Sequence, residues 1–165
     1  MGALHGYSYC ESGVVTGYWN DDGSEGDLDA WTLVAPNLYL GVQPVHGLPD
    51  GVVFVVNCDM ARFYAEPDCS YLHVPLVDGE ELPSLERLHG AAELVNSLRE
   101  LGPVYVHCRF GLNRSALVVA LALIEAGGEP DTVIGHLRCS RHEKVLSNRP
   151  FNAYLRSLAV EQEAA

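Results

Sequence analysis

Positive charge is scarce in these 165 residues: ten Lys and Arg stand against 22 Asp and Glu, for a formal net charge of −12. A balance this acidic argues against broad contact with nucleic acid or an anionic membrane, because both require a basic face. Long apolar runs are missing as well. The longest, Ala116 to Ile124, falls far short of the roughly 20 residues a membrane-spanning helix needs. Residues 1–10 hold no Lys or Arg and no sustained apolar stretch, so they do not read as a secretory signal. The five cysteines, Cys10, Cys58, Cys69, Cys108 and Cys139, are odd in number and include no Cys-x-x-Cys pair. That pattern speaks against a disulfide framework and a zinc knuckle. All but Cys108 are expected to be small, soft residues in or near the core, and a reducing cytoplasm is the expected compartment. No Gly-Lys-Ser/Thr occurs, which excludes a Walker-type nucleotide loop. His46, His73, His89, His136 and His142 show no metal spacing and are expected in the core or at the surface, with no metal or cofactor required.

What is present reads as one globular α/β domain. Hydrophobic residues make up 48% and charged residues 19% of the chain, a composition that folds. Residues 1 to about 30 carry acidic and Gly-rich turn signals, including Asn20-Asp21-Asp22-Gly23-Ser24, and are expected to form a solvated lead-in. Beyond Trp31, Leu38 to Gly41, Val52 to Asn57, Tyr71 to Leu76 and Val104 to His107 read as strands. Residues 83–100 repeat apolar side chains at helical spacing, and Ser115 to Ala126 is apolar nearly all round, as a buried central helix would be. Asp131 to Arg138 and Pro150 to Val160 are two further helices. The alternation predicts a central, mostly parallel sheet of four to five strands, flanked by helices on both faces.

The chemistry gathers at the turn between the last strand and the apolar helix: His107-Cys108-Arg109-Phe110-Gly111-Leu112-Asn113-Arg114-Ser115. Ligands of open α/β sheets bind beyond the carboxyl ends of strands, and a helix N-terminus there offers unpaired N–H groups and a positive dipole. Five residues between Cys108 and Arg114 let the backbone curl into an anion nest, with Gly111 relieving the steric strain of the curl. The planar fork of Arg114 can grip two phosphoryl oxygens. The same surroundings favour the thiolate, which is the nucleophilic form of cysteine. Ser115 can donate to the sulfur, and His107 is expected to shape the loop. Arg62, Arg138, Arg141 and Arg149 are each expected to be surface charge.

This run resembles the signature His-Cys-x-x-Gly-x-x-Arg-Ser/Thr of the protein tyrosine phosphatase superfamily, and most closely its dual-specificity branch. Asn37-Leu38-Tyr39-Leu40-Gly41, Val55-Val56-Asn57, Val74-Pro75-Leu76-Val77-Asp78 and Arg149-Pro150-Phe151-Asn152 are similar to other segments of that branch, so the resemblance spans about residues 32 to 158. It divides the chain into an arm, 1–31, and a phosphatase catalytic domain, 32–165. It implies metal-independent phosphomonoester hydrolysis through a cysteinyl phosphate on Cys108. Arg114 and Ser115 would assist, and Asp78 would serve as general acid, ahead of its neighbours Glu80 and Glu81. Arg109, Phe110, Gly111, Leu112 and Asn113 would contact the substrate, expected to be a phosphorylated protein. Arg109 after the nucleophile is also seen in relatives acting on inositol lipids, and Gly111-Leu112-Asn113-Arg114 resembles the RNA 5′-triphosphatase branch. A catalytically silent phosphate-binding module is the expectation of another class.

Overall fold

The computed structural model describes residues 8–9, 14–19, 25–44, 47–60 and 69–163. Cys10, His46 and Arg62 lie outside them. Five strands form a mixed sheet: β4 (Trp31–Ala35), β5 (Leu38–Gly41), β6 (Phe54–Asn57), β7 (Ser70–His73) and β8 (Val104–His107). Their order is β4-β5-β8-β6-β7, and only the β4–β5 pair is antiparallel. Four helices flank the sheet: α1 (Leu85–Leu101), α2 (Arg114–Glu125), α3 (Pro130–Ser140) and α4 (Arg149–Glu163). This is the α/β architecture expected from the alternation of patterns. Among the described residues, no helix is long and apolar enough to cross a membrane.

The centre of the fold is β8 followed by α2. With a parallel neighbour on each side, all four β8 residues are buried, so the strand is a continuous apolar run instead of an alternating one. Every α2 residue from Ser115 to Ala122 is buried, which is why its sequence shows no polar face. Helices α1, α3 and α4 all pack against α2. Asn96 of α1 donates from Nδ2 to the Ala122 carbonyl, 2.8 Å away. Gly127, at φ 100°, closes α2, and Pro130 opens α3 three residues later.

Two elements depart from the sequence expectation. The lead-in holds three short antiparallel strands: β1 (Ser8–Tyr9), β2 (Val14–Trp19) and β3 (Glu25–Asp29). The β-branched and aromatic residues of Val14-Val15-Thr16-Gly17-Tyr18-Trp19 favour extended backbone, a short signal hidden among acidic turn residues. Leu28 and Ala30 are buried in the main core. The strand read over residues 71–76 ends at His73 because Pro75 has no N–H, yet the chain still runs beside β6: Val74 N donates to Asn57 O at 2.8 Å and Leu76 N to Cys58 O at 3.2 Å.

Tyr105 locks the corner where the lead-in joins the sheet. Its hydroxyl donates to the carbonyls of Val42, 2.5 Å away, and Ala30, 3.3 Å away. Gly41 leaves the room this needs, since a Cβ there would strike the Tyr105 hydroxyl and would lie 2.6 Å from the Ala30 oxygen. Tyr105→Phe is therefore expected to lower the unfolding free energy by about 1–3 kcal/mol, because it leaves a buried carbonyl without its donor. Equilibrium urea unfolding measures this, and an unchanged midpoint would show that the bond contributes nothing.

Candidate active site

The loop from His107 to Arg114 is shaped by what holds its carbonyls. Cys58 N donates to His107 O at 2.6 Å, and Gln43 N donates to Arg109 O at 3.3 Å. Arg141 donates from Nη2 to Phe110 O at 3.3 Å and from Nε to Gly111 O at 2.8 Å. Leu146 N reaches Leu112 O, and Leu117 N reaches Asn113 O, each at 2.8 Å. His107 Nδ1 donates to the Cys108 carbonyl at 3.1 Å. Every carbonyl from His107 to Asn113 is thus bound. In a trans peptide the following N–H points the opposite way, so carbonyls tied to the periphery favour amides that face the inside of the loop, as the Gly111 amide does. The Gly111 amide and the Ser115 hydroxyl converge on Cys108 Sγ, at 3.3 and 3.2 Å. Gly111 is required twice over. Its φ of 67° lies in the left-handed region, and a Cβ would collide with the Gly41 carbonyl and sit 2.6 Å from Arg141 Nη2.

Arg114 opens α2 and donates from Nη1 to Asp59 Oδ1 at 3.2 Å; the two side chains are only 11% and 13% exposed. Its Nε is buried and has no hydrogen-bond partner among the described residues. Asp59 is placed by its own backbone: its N–H reaches Asn57 Oδ1 at 2.7 Å, and His73 Nε2 donates to its carbonyl, also at 2.7 Å.

On the rim, Asp78 is held by two amides. Asn113 Nδ2 donates to Oδ2 at 3.1 Å, and Asn148 Nδ2 donates to Oδ1 at 2.8 Å and to Gly79 O at 2.9 Å. Asn113 Oδ1 in turn accepts from Ser147 Oγ at 3.3 Å and Asn148 N at 3.1 Å. The loop, the Asp78 segment and the chain entering α4 are therefore joined through one asparagine. Glu80 and Glu81 line a neighbouring cleft of about 440 Å³ with Val77, Leu82 and Arg87, away from the loop.

Burial sets the charge of the groups around the sulfur. Desolvation lowers the His107 pKa to about 4, against a smaller opposing pull from its hydrogen bond to Cys108 O and from Asp59. The ring is neutral at physiological pH and stacks on Tyr105, with centroids 5.6 Å apart. The Cys58 thiol is pushed well up, first by burial and then by the nearby Cys108, so it stays protonated. Desolvation also pulls the buried Arg141 down from its usual range, and its guanidinium is further held by Asp29 O at 3.3 Å and Thr32 Oγ1 at 3.2 Å.

The structure brings together Cys108, Gly111, Leu112, Asn113, Arg114 and Ser115 in one loop, with Asp78 on its rim. Arg109 is exposed, with its guanidinium carbon 5.8 Å from the centroid of the half-buried Phe110 ring. Two expectations are corrected. Arg141 is not surface charge: it is buried and holds two loop carbonyls. Arg138 likewise donates to Val145 O at 2.9 Å and Leu146 O at 3.3 Å, which fixes the segment whose Leu146 amide caps the loop. Asp59 and Asn148 were not singled out from the sequence. The signal for Asp59 was an acid two residues beyond an apolar strand; for Asn148 there was only proximity to Arg149-Pro150.

A fold of this topology, with a Cys-to-Arg loop between the central strand and a buried helix, defines the cysteine-based phosphatase class. Residues 38–160 match the family described as "Dual specificity phosphatase, catalytic domain", and the chain belongs to that family. It is similar to the mouse phosphatidylglycerophosphatase and protein-tyrosine phosphatase 1, at 33% identity over 69 residues, covering 41% of this chain and 36% of the relative. It is also similar to the probable dual specificity protein phosphatase H1 homolog of fowlpox virus (strain NVSL), at 29% over 99 residues, covering 57% and 60%. The matched regions thus span little more than a third and three fifths of those proteins. The crystal structure of human DUSP28 superposes with a TM-score of 0.68 at 24% identity, over 81% of this chain and 98% of that one.

The depressed His107 pKa has a stability consequence. The unfolded state takes up a proton near pH 6.5 and the folded state only near pH 4, so the fold loses stability as pH falls through that window and levels off below it. From His107 alone, the unfolding free energy is expected to drop by about 2 kcal/mol between pH 7 and pH 5. An NMR titration of the imidazole reads the same shift directly. A His107 midpoint near 6.5 would contradict the burial argument.

Proposed function

We propose that this protein is a metal-independent phosphomonoester hydrolase that acts on phosphorylated proteins through a cysteinyl phosphate on Cys108. The single observation behind this reading is the loop whose carbonyls are all bound, six of the seven by groups outside it, with Cys108 Sγ beneath its amides and Ser115. Such a concavity favours a tetrahedral dianion and a thiolate at the same place. Cys108 Sγ attacks phosphorus in line, and the bond to the ester oxygen breaks. Asp78 delivers a proton to that oxygen, because an alkoxide is a poor leaving group. Water then attacks phosphorus and gives its proton to Asp78. The S–P bond breaks, with the returning thiolate steadied by the Ser115 hydroxyl. Arg114 and the loop amides of Arg109 to Asn113 hold the equatorial oxygens as their charge redistributes. A thiol nucleophile needs a reducing compartment, which supports the cytoplasm.

A second reading, a phosphorylated lipid or inositol headgroup, draws on the exposed Arg109 at the rim and on the name of the mouse relative. The net charge of −12 opposes approach to an anionic bilayer. The tie between Asp78 and the loop favours monoester chemistry over RNA 5′-triphosphate hydrolysis.

Turnover of phosphotyrosine and phosphothreonine peptides, an inositol phospholipid and 5′-triphosphate RNA, compared across wild type, Cys108→Ser and Asp78→Ala, tests these readings. Cys108→Ser is expected to abolish hydrolysis. Asp78→Ala should lower kcat on the peptides about 10²–10⁴-fold, and much less on an activated aryl phosphate whose leaving group needs no proton. Hydrolysis surviving in Cys108→Ser would overturn the mechanism. Activity confined to the RNA or the lipid would replace the substrate, and a wild type that binds phosphate without turnover would be a binding module.

A further inference from the structure

The Arg114 guanidinium is a planar fork with two usable edges. Nη1 is committed to Asp59 Oδ1 at 3.2 Å, which leaves the edge made by Nε and Nη2. Nε, on that edge, is buried and has no partner among the described residues. A desolvated donor without a partner is unfavourable unless an acceptor arrives, and two parallel N–H groups match two oxygens of a phosphoryl group. We propose that Asp59 is the positioning residue of the site: it grips one side of the Arg114 guanidinium and so aims the opposite edge at the phosphoryl group. This rests on the phosphatase reading above.

Three observations support the assignment. The ion pair is nearly shielded from water, so it is not a screened surface contact. Asp59 is itself held on a rigid turn, by Asn57 Oδ1 on its amide and His73 Nε2 on its carbonyl. Asn57 is fixed in turn, donating from Nδ2 to the Tyr71 hydroxyl at 2.7 Å. The turn also follows β6, which pairs in parallel with the strand that delivers Cys108. Asp59 and the sulfur therefore share one ladder as a reference frame.

The experiment measures vanadate and inorganic phosphate affinity, together with phosphopeptide kcat and KM, for Asp59→Ala and Asp59→Asn in the wild-type and Arg114→Lys backgrounds. Asp59→Ala frees the guanidinium, and vanadate affinity and kcat are expected to fall together about 10- to 100-fold with KM little changed. Asn retains an acceptor oxygen without the charge, so its fall should be smaller, about three- to tenfold. In Arg114→Lys, which has no fork to orient, neither substitution should lower vanadate affinity further. A structural role would instead give the same loss in both backgrounds. The proposal is overturned if vanadate affinity is unchanged in Asp59→Ala, or if the loss persists undiminished in Arg114→Lys. Should Asp59→Ala fail to fold, Asp59→Asn decides by the same two criteria. Oxyanion binding separates this proposal from the wider reading: a wild type that binds neither anion sinks both, whereas binding that is indifferent to Asp59 sinks only the positioning role.

Discussion

The structure depends on the outward tethering of one loop's carbonyls. Between His107 and Asn113 the backbone curls at the end of the central strand, and such a curl is stable only if each carbonyl finds a donor. The donors come from Cys58 after β6, Gln43 after β5, Arg141 at the end of α3, Leu146 before α4, Leu117 within α2 and the His107 ring. No two consecutive elements could supply them. The loop is therefore a property of the whole fold, and its chemistry is available only once sheet, helices and connections have closed around it.

Arg141 shows how this is managed energetically. A buried guanidinium carries a large desolvation penalty, which is visible in its lowered pKa. It is offset by acceptors at Gly111, Phe110, Asp29 and Thr32, so the same cation shapes the loop and fastens the β3–β4 corner to it. The neutral His107 and protonated Cys58 complete a low-charge floor under the sulfur. Around this floor the charged groups stand in pairs or small networks: Arg114 with Asp59, and Asp78 with Asn113 and Asn148.

Where the sequence misled, the cause was long-range pairing. Arg138 ends a helical pattern and Arg141 lies just beyond it, where each reads as solvated charge, and nothing local reveals that carbonyls 30 residues upstream of Arg141 wait for it. Asp59 looks like an ordinary strand-ending acid until α2 brings Arg114 beside it across 55 residues. In the lead-in, the acidic glycine-rich turns dominated the composition and obscured the three β-branched residues that strand β2 contains, Val14, Val15 and Thr16.

By itself the sequence determined the α/β class, the central strand and helix, and the nine residues from His107 to Ser115. Each of these is encoded locally, in apolar periodicity, in turn residues and in the spacing of Cys108, Gly111 and Arg114. Only the tertiary structure decided which groups bind the loop's carbonyls, which acid faces Arg114 and which amides hold Asp78. Apart from Leu117 and the His107 ring, those partners lie tens of residues from the groups they bind, and a hydrogen bond at that separation leaves no periodic trace in the chain. Their identity follows from where β6, α3 and the segment before α4 come to rest.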